Sequence, residues 1–301
     1  MKIILLLVLS SLTQAFASVD GVKDIYQKIK DDFESNRTFY NSSINELRET
    51  PLKQTQIAKL PETYFLDKKP FFLAMAGRDR LIKAGKIKNH SILAVTDFSR
   101  HSRHRRVFIM DVVKGKVLIN TYTSHASNTD SNGDGYADSF SNVNGSEKSS
   151  LGFMGSDVSY YGIFGYSMRM RGLDPKLNSN VLARAVVVHG FGGMDVEQAS
   201  WGQVATSLGC LMFSNNEPAR YWGLEDKTMI EVVVDTLKRG SLIFNYVDTS
   251  EIFQSEWIKL ADVPEEEKAE TKAVEYQQES NKGVIVSHHP YGDILPAEVN
   301  P

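Results

Sequence analysis

The sequence is short of thiols. Cys210 is the one cysteine in 301 residues, so no disulfide can close within the chain. That leaves a buried bystander, a link to a second molecule or a reactive nucleophile. A charge excess is missing too: 34 Lys and Arg stand against 37 Asp and Glu, a formal net charge of −3. That balance argues against a nucleic-acid binder. Nor does any apolar run reach the ~20 residues of a membrane span. The run Ile3–Leu9 follows Lys2 and precedes small residues at Ala15 and Ala17. A charged start, a short apolar stretch and A-x-A spacing predict a secretory signal peptide over 1–17, hence export to the periplasm or cell envelope with no transmembrane segment after cleavage. No cysteine follows the cleavage point, so no lipid is expected there.

What is present divides into three parts after the leader. Over 18–88 the pattern is helical and predicts a segment packing on the core: Val22, Ile25, Ile29 and Phe33 recur at spacings of three and four. A second helix is predicted from Phe71 to Ala84, after Pro70 and closed by Gly85. Over 89–250 short β-type runs alternate with turn signals. "RVFIMDVVKGKVLINTYTSH" reads as a hairpin turning at Lys114-Gly115, and "LARAVVVHG" contains a buried strand from Ala185 to Val188. "DKTMIEVVVDTLKRG" reads as a helix capped by Asp226 and closed by Gly240, with "SLIFNYV" a strand after it. Many strands and few helices predict a mainly β domain, a sandwich or barrel with flanking helices, rather than βαβ repeats. A charged C-terminal extension occupies 251–301, polar from Ala261 on, and reads as a solvated helix or disordered tail.

The chemistry-bearing pair is His189, at the end of "VVVHG", and Cys210, at the end of "SLGC" twenty-one residues on. Acyl transfer through a cysteine needs a thiolate, a base for its proton and N–H groups aimed at the developing oxyanion. An ordinary thiol is only a few per cent ionised at neutral pH, so a neighbouring imidazole matters. Gly209 permits a tight turn and close approach of a substrate. Taken alone, the same residues also fit a buried cysteine and a structural histidine.

The company of these residues resembles a known family. "VVVHG" followed by Ser-x-Gly-Cys is similar to the signature of YkuD-type L,D-transpeptidase domains, closest to the murein L,D-transpeptidase catalytic domain branch. The resemblance runs over about 72–250 and includes Asp97–Ser99, Arg105 and Arg106, Asp111, Ser124-His125, "SFSN" at 139–142, "GSEKSSLG" at 145–152 and "RAVVVHG" at 184–190. It implies an L,D-transpeptidase-like fold and a peptidoglycan L,D-transpeptidase in which Cys210 is acylated by the diaminopimelate residue of a tetrapeptide stem and His189 is the base. Gly209, Gly190 and Ser207 would serve the oxyanion and the orientation of the imidazole, and no cofactor would be required. The acceptor is open: a second stem, a wall-attached protein, a D-amino acid or water, the last making an L,D-carboxypeptidase. A silent wall-binding module with the same fold is the alternative from another class. The chain has Leu208 where many members carry His before Gly-Cys, and Leu211-Met212-Phe213 where an Arg often follows. Arg184 then becomes a candidate for the substrate carboxylate, or a structural ion-pair partner, and His125 a second candidate for lining the groove.

Three further clusters stand out. "DSNGDGYAD" sets Asp130, Asn132, Asp134 and Asp138 at the spacing of an EF-hand-type Ca²⁺ loop, with Ser141 in place of the closing Glu. The same residues are what an Asx-turn loop demands. "RHSRHRR", Arg100–Arg106, reads as a solvated loop that could attract an anionic polymer. His288 and His289 read as tail residues, two adjacent imidazoles being too few for tetrahedral zinc.

Overall fold

The computed structural model describes residues 18–37, 52–216 and 226–268. The expected signal peptide, and His288 and His289, lie outside the described residues.

Helices form where the sequence carries a one-sided apolar stripe. α1, Val19–Ser35, starts at Ser18, whose Oγ accepts the Gly21 N–H (3.1 Å), and buries Ile25, Tyr26, Ile29 and Phe33. Phe33 packs 6.1 Å from the Phe108 ring, and Asp32 accepts the Val117 N–H at the sheet edge (2.9 Å). A single turn, α2, spans Gln54–Ile57. α3, Lys68–Lys83, begins three residues before the expected Phe71. Pro70 falls in its first turn, where a missing N–H has no intrahelical partner to lose. It closes at Gly85, with Lys86 N–H on the Leu81 carbonyl and Gly85 N–H on the Ile82 carbonyl, both 2.9 Å.

The strands are β1 (Ile92–Asp97), β2 (Val107–Asp111), β3 (Lys116–Thr121), β4 (Gly152–Gly162), β5 (Gly165–Gly172), β6 (Val187–Phe191), β7 (Leu211–Ser214) and β8 (Leu242–Tyr246). They make one eight-stranded sheet in the order β3-β2-β1-β8-β4-β5-β6-β7. β1–β8 and β6–β7 are parallel pairs and the others antiparallel. Two helices, α4 (Val196–Trp201) and α5 (Met229–Leu237), flank it.

The sheet curls until its edges nearly meet, giving the expected mainly β, barrel-like domain. Residues 122–126 continue β3 and run beside the chain entering β7. Hydroxyls stitch this seam: Ser124 Oγ donates to the Cys210 carbonyl and accepts the Met212 N–H, and Thr123 Oγ1 donates to the Met212 carbonyl, each at 3.0 Å. Ser207 N–H donates to the His125 carbonyl and Ser127 N–H to the Ser207 carbonyl, both 2.8 Å. Side chains thus replace ladder partners that the irregular segment cannot supply from its own backbone.

Four local expectations are corrected. β6 begins at Val187, not Ala185, because Ala185 takes φ +54° and turns the chain before the strand starts. α5 is capped by Thr228, whose side chain and backbone N–H both reach Glu231 (2.9 and 2.7 Å), not by Asp226. Residues up to 268 of the extension pack on the core: Ile252, Ile258 and Val263 are buried, and Arg80 pairs with Asp262 in a two-pronged contact (2.5 and 2.8 Å). Lastly, the basic run is no solvated loop. Arg106 is fully buried and donates to the carbonyls of Thr123 (3.2 and 2.9 Å) and Arg100 (3.1 Å), while Arg100 pairs with Asp97 (3.0 Å) and donates to Phe65 O (2.8 Å). The planar guanidinium fork answers carbonyls that no strand would pair.

Candidate active site

β6 and β7 run parallel in the register Val188↔Leu211 and His189↔Met212. Val188, Leu211 and Phe213 enter the main core, so His189 and Met212 face the other side, where Met212 joins a small cluster with Tyr122, Met194, Val196 and Val204. Continued by one residue, the register sets Cys210 opposite Val187, whose N–H points at Sγ (3.4 Å). The thiol in turn donates toward the Ala185 carbonyl (3.9 Å). His189 therefore lies one strand over and two residues along from Cys210, roughly 8 Å between Cα atoms by strand geometry. No hydrogen bond joins imidazole and thiol among the described residues.

The imidazole is fixed in tautomer. His189 Nδ1 lies 3.0 Å from the Gly190 carbonyl, which can only accept, so Nδ1 carries the proton and Nε2 keeps the lone pair. Phe164, at the tip of the β4–β5 hairpin, stacks on the ring at 4.2 Å and 21°. Burial holds His189 below the usual histidine value, with the Gly190 contact pulling the other way. Burial likewise pushes the Cys210 thiol up, while the Val187 amide and the Arg184 guanidinium lower it. Both shifts favour the neutral pair, burial making the thiol a weaker acid and the imidazole a weaker base than either is in water.

The turn presenting Cys210 is held from behind. Ser207 Oγ donates to the Cys210 carbonyl (2.8 Å) and accepts the Gly209 N–H (3.1 Å). That carbonyl also receives Ser124, so two hydroxyls fix one peptide. Gly209 has φ +126°, and a Cβ there would meet the Lys148 carbonyl at 3.2 Å and Arg184 Nη2 at 3.4 Å. Only glycine suits it. The expected use of the Gly209 amide as an oxyanion donor is not available in this arrangement, because Ser207 already occupies it.

The chain matches the family model described as L,D-transpeptidase catalytic domain over residues 62–246. It belongs to that family. Among solved structures it is similar to the helical cell shape determining protein Pgp2 from Campylobacter jejuni, at 13% identity and a TM-score of 0.29, covering 57% of this chain and 56% of that one. An agreement that loose says nothing about the site. No curated protein matches the chain.

Within this L,D-transpeptidase domain the remaining predicted residues separate from the Cys210–His189 pair. His125 is 1% exposed, with Arg106 Nη2 on its Nδ1 (3.1 Å) and Asp130 on its Nε2 (3.3 Å). It is an interior residue and lines no groove. Arg184 has all four terminal N–H groups engaged by Ser141 O, Ser150 Oγ and Lys148 O (2.6 Å each) and Ser146 Oγ (3.3 Å), so its two-pronged terminal edge is taken up, and no carboxylate pairs with it among the described residues. The 130–138 loop folds on its own amides: Asp130 accepts from Asp134 N and Gly135 N (3.0 and 2.9 Å), Asp134 from Tyr136 N (2.9 Å), and Asn132 turns its NH₂ to Asp134 (2.9 Å). Asp138 lies close enough to Asp134 and Asp130 for their charges, after burial, to raise its pKa, and among the described residues no group of three acidic, His or Cys side chains could hold a metal ion. Sequence reasoning missed Phe164 and Thr123, and singled out Ser124 only as part of a motif, with no role given to its hydroxyl. The exposed apolar tip Tyr161-Gly-Ile163-Phe164 was the available signal for the first, since a hairpin turn rarely spends apolar residues on water.

Proposed function

We propose that this chain is an exported, cysteine-dependent L,D-transpeptidase acting on peptidoglycan stem peptides. Cys210 Sγ bonds to the carbonyl carbon of the diaminopimelate residue of a tetrapeptide stem, and the thiol proton passes to His189 Nε2. The bond to the terminal D-alanine then breaks, and that proton leaves on its amine. An amine of a second stem, of a protein or of a D-amino acid, or water, attacks the thioester and restores the thiol. Neither half-reaction calls for a metal or organic cofactor.

The observation that carries this reading is the Nδ1–Gly190 contact (3.0 Å), which leaves Nε2 as the basic atom on the strand next to the only thiol. A wall-binding module draws on a different one, the lack of an imidazole–thiol hydrogen bond among the described residues. Incubation of the protein lacking residues 1–17 with tetrapeptide muropeptides, read by mass spectrometry, separates them. D-alanine release with new 3–3 cross-links, lost in Cys210→Ser and His189→Gln, is expected. Release without cross-links makes the chain a carboxypeptidase. Neither product would end both enzymatic readings in favour of the module.

A further inference from the structure

We propose that Arg184 is a positioning residue that holds the Cys210 thiolate, through the turn that cradles the sulfur, and that it does so independently of His189. The inference rests on the reading of Cys210 as the nucleophile and deepens it.

The guanidinium is anchored, and among the described residues no carboxylate neutralises it. Its four terminal N–H groups meet two carbonyls and two hydroxyls of the 141–150 loop. A half-buried cation that has lost water and gained only neutral acceptors still favours an anion nearby. The geometry puts that anion at Cys210. Nη2 stands 3.4 Å from where a side chain on Gly209, the residue before Cys210, would begin. The residue after Arg184 supplies the rest of the cradle. Ala185, at φ +54°, aims its carbonyl at Sγ (3.9 Å), and the Val187 N–H reaches the same atom (3.4 Å). A non-glycine residue in the left-handed region is strained and persists where its surroundings impose it. Here it lets one short turn, 184–187, offer the sulfur a carbonyl for its proton, an amide for its lone pair and a charge.

Among the described residues His189 does none of this: its hydrogen bond is to Gly190 and its ring stacks on Phe164. The other ionisable groups around the turn are Lys148, whose ammonium donates to Ser139 Oγ (2.5 Å), and Glu251, which Lys148 faces. Behind Ser207 lie His125, Arg106 and Asp130, paired among themselves. Arg184 is the charged side chain that lowers the thiol.

A single cysteine makes the test clean. The rate of iodoacetamide alkylation is followed against pH, together with thiolate absorbance, in the full chain and in Arg184→Gln, Arg184→Lys and His189→Gln. A neighbouring opposite charge is worth about tenfold or more in thiolate fraction. Arg184→Gln is expected to lose roughly that much at pH 7 and to titrate at higher pH, and Arg184→Lys to recover most of it. His189→Gln should abolish turnover while its alkylation midpoint stays with the wild type. An unchanged midpoint in folded Arg184→Gln overturns the proposal, as does His189→Gln moving it equally far. Should Arg184→Gln not fold, the guanidinium carbon resonance of Arg184 in the unaltered chain decides. It must shift with the thiol's midpoint, and a resonance blind to the thiol overturns the assignment. Alkylation needs no stem peptide, so absence of transpeptidation leaves this result readable by itself.

Discussion

Lowering the pH should remove stability through a histidine that cannot charge. His125 is buried, its Nδ1 accepts from the Arg106 guanidinium and its Nε2–H faces Asp130. A second proton would place an N–H against a cation. Burial first, then Arg106 and His101, push its folded value down from 6.5 to about 2. The folded chain therefore stays neutral at this ring while the unfolded chain takes up a proton below pH 6.5. Stability is fully present above that value and falls as pH drops, levelling only near the folded value. One such proton is worth about 1.4 kcal/mol per pH unit, or about 2 kcal/mol between pH 7.5 and 5. His101 and His104, both lowered to about 4 by burial and neighbouring arginines, act with the same sign. Asp174 and Glu267, raised by burial to about 6 and about 7, act against it by binding protons in the folded state first. The whole-protein slope is thus a difference, and the informative quantity is wild type minus His125→Asn. Urea unfolding across that pH range should show the stability gap between the two shrinking by about 2 kcal/mol toward pH 5. A gap independent of pH would refute the buried, neutral histidine.

Three further outcomes are expected. Ser124→Ala removes both seam bonds and strands the buried Met212 N–H, costing about 2–3 kcal/mol; an unfolding free energy within 0.5 kcal/mol of wild type would show that the seam carries no load. Gly77→Ala in α3 would place its Cβ 2.1 Å from the Phe153 ring, an overpacking cost of about 1–3 kcal/mol or more that Phe153→Leu should largely relieve in a double-mutant cycle. Calorimetric titration of calcium into the chelator-treated protein should give no saturable heat, because the amides at 134–136 already hold the Asp130 and Asp134 oxygens; a saturable isotherm lost in Asp130→Asn would reverse that reading.

How far the sequence reached depended on whether a feature was local. α1 and α3 were legible because apolar spacing and a closing glycine lie within one element, and the β2–β3 hairpin because Lys114-Gly115 sits between alternating arms. The start of β6 was not, since nothing about an alanine announces a left-handed φ. Arginines are read as surface residues because water normally solvates them best. Arg100 and Arg106 escape that rule only because irregular carbonyls at one end of the barrel need donors, a demand set by chain segments elsewhere. His189 and Cys210 were found through motif company, and the choice between Gly190 and Ser207 as the group orienting the imidazole needed coordinates.

The same distinction explains why the nucleophile sits where it does. Its carbonyl is gripped by Ser207, three residues away, and by Ser124, 86 residues away. The first contact makes the turn; the second exists only once the sheet has curled and its edges have met. Because loop closure must precede that contact, the peptide bearing Cys210 is held by the closed barrel as well as by its own turn. A thiol mounted at the seam is therefore rigid only in the folded whole. Loosening the seam should make the cysteine more exposed to alkylating reagent yet less able to hold the geometry an acyl transfer requires, so reactivity toward a small electrophile and turnover of a stem peptide should move in opposite directions there.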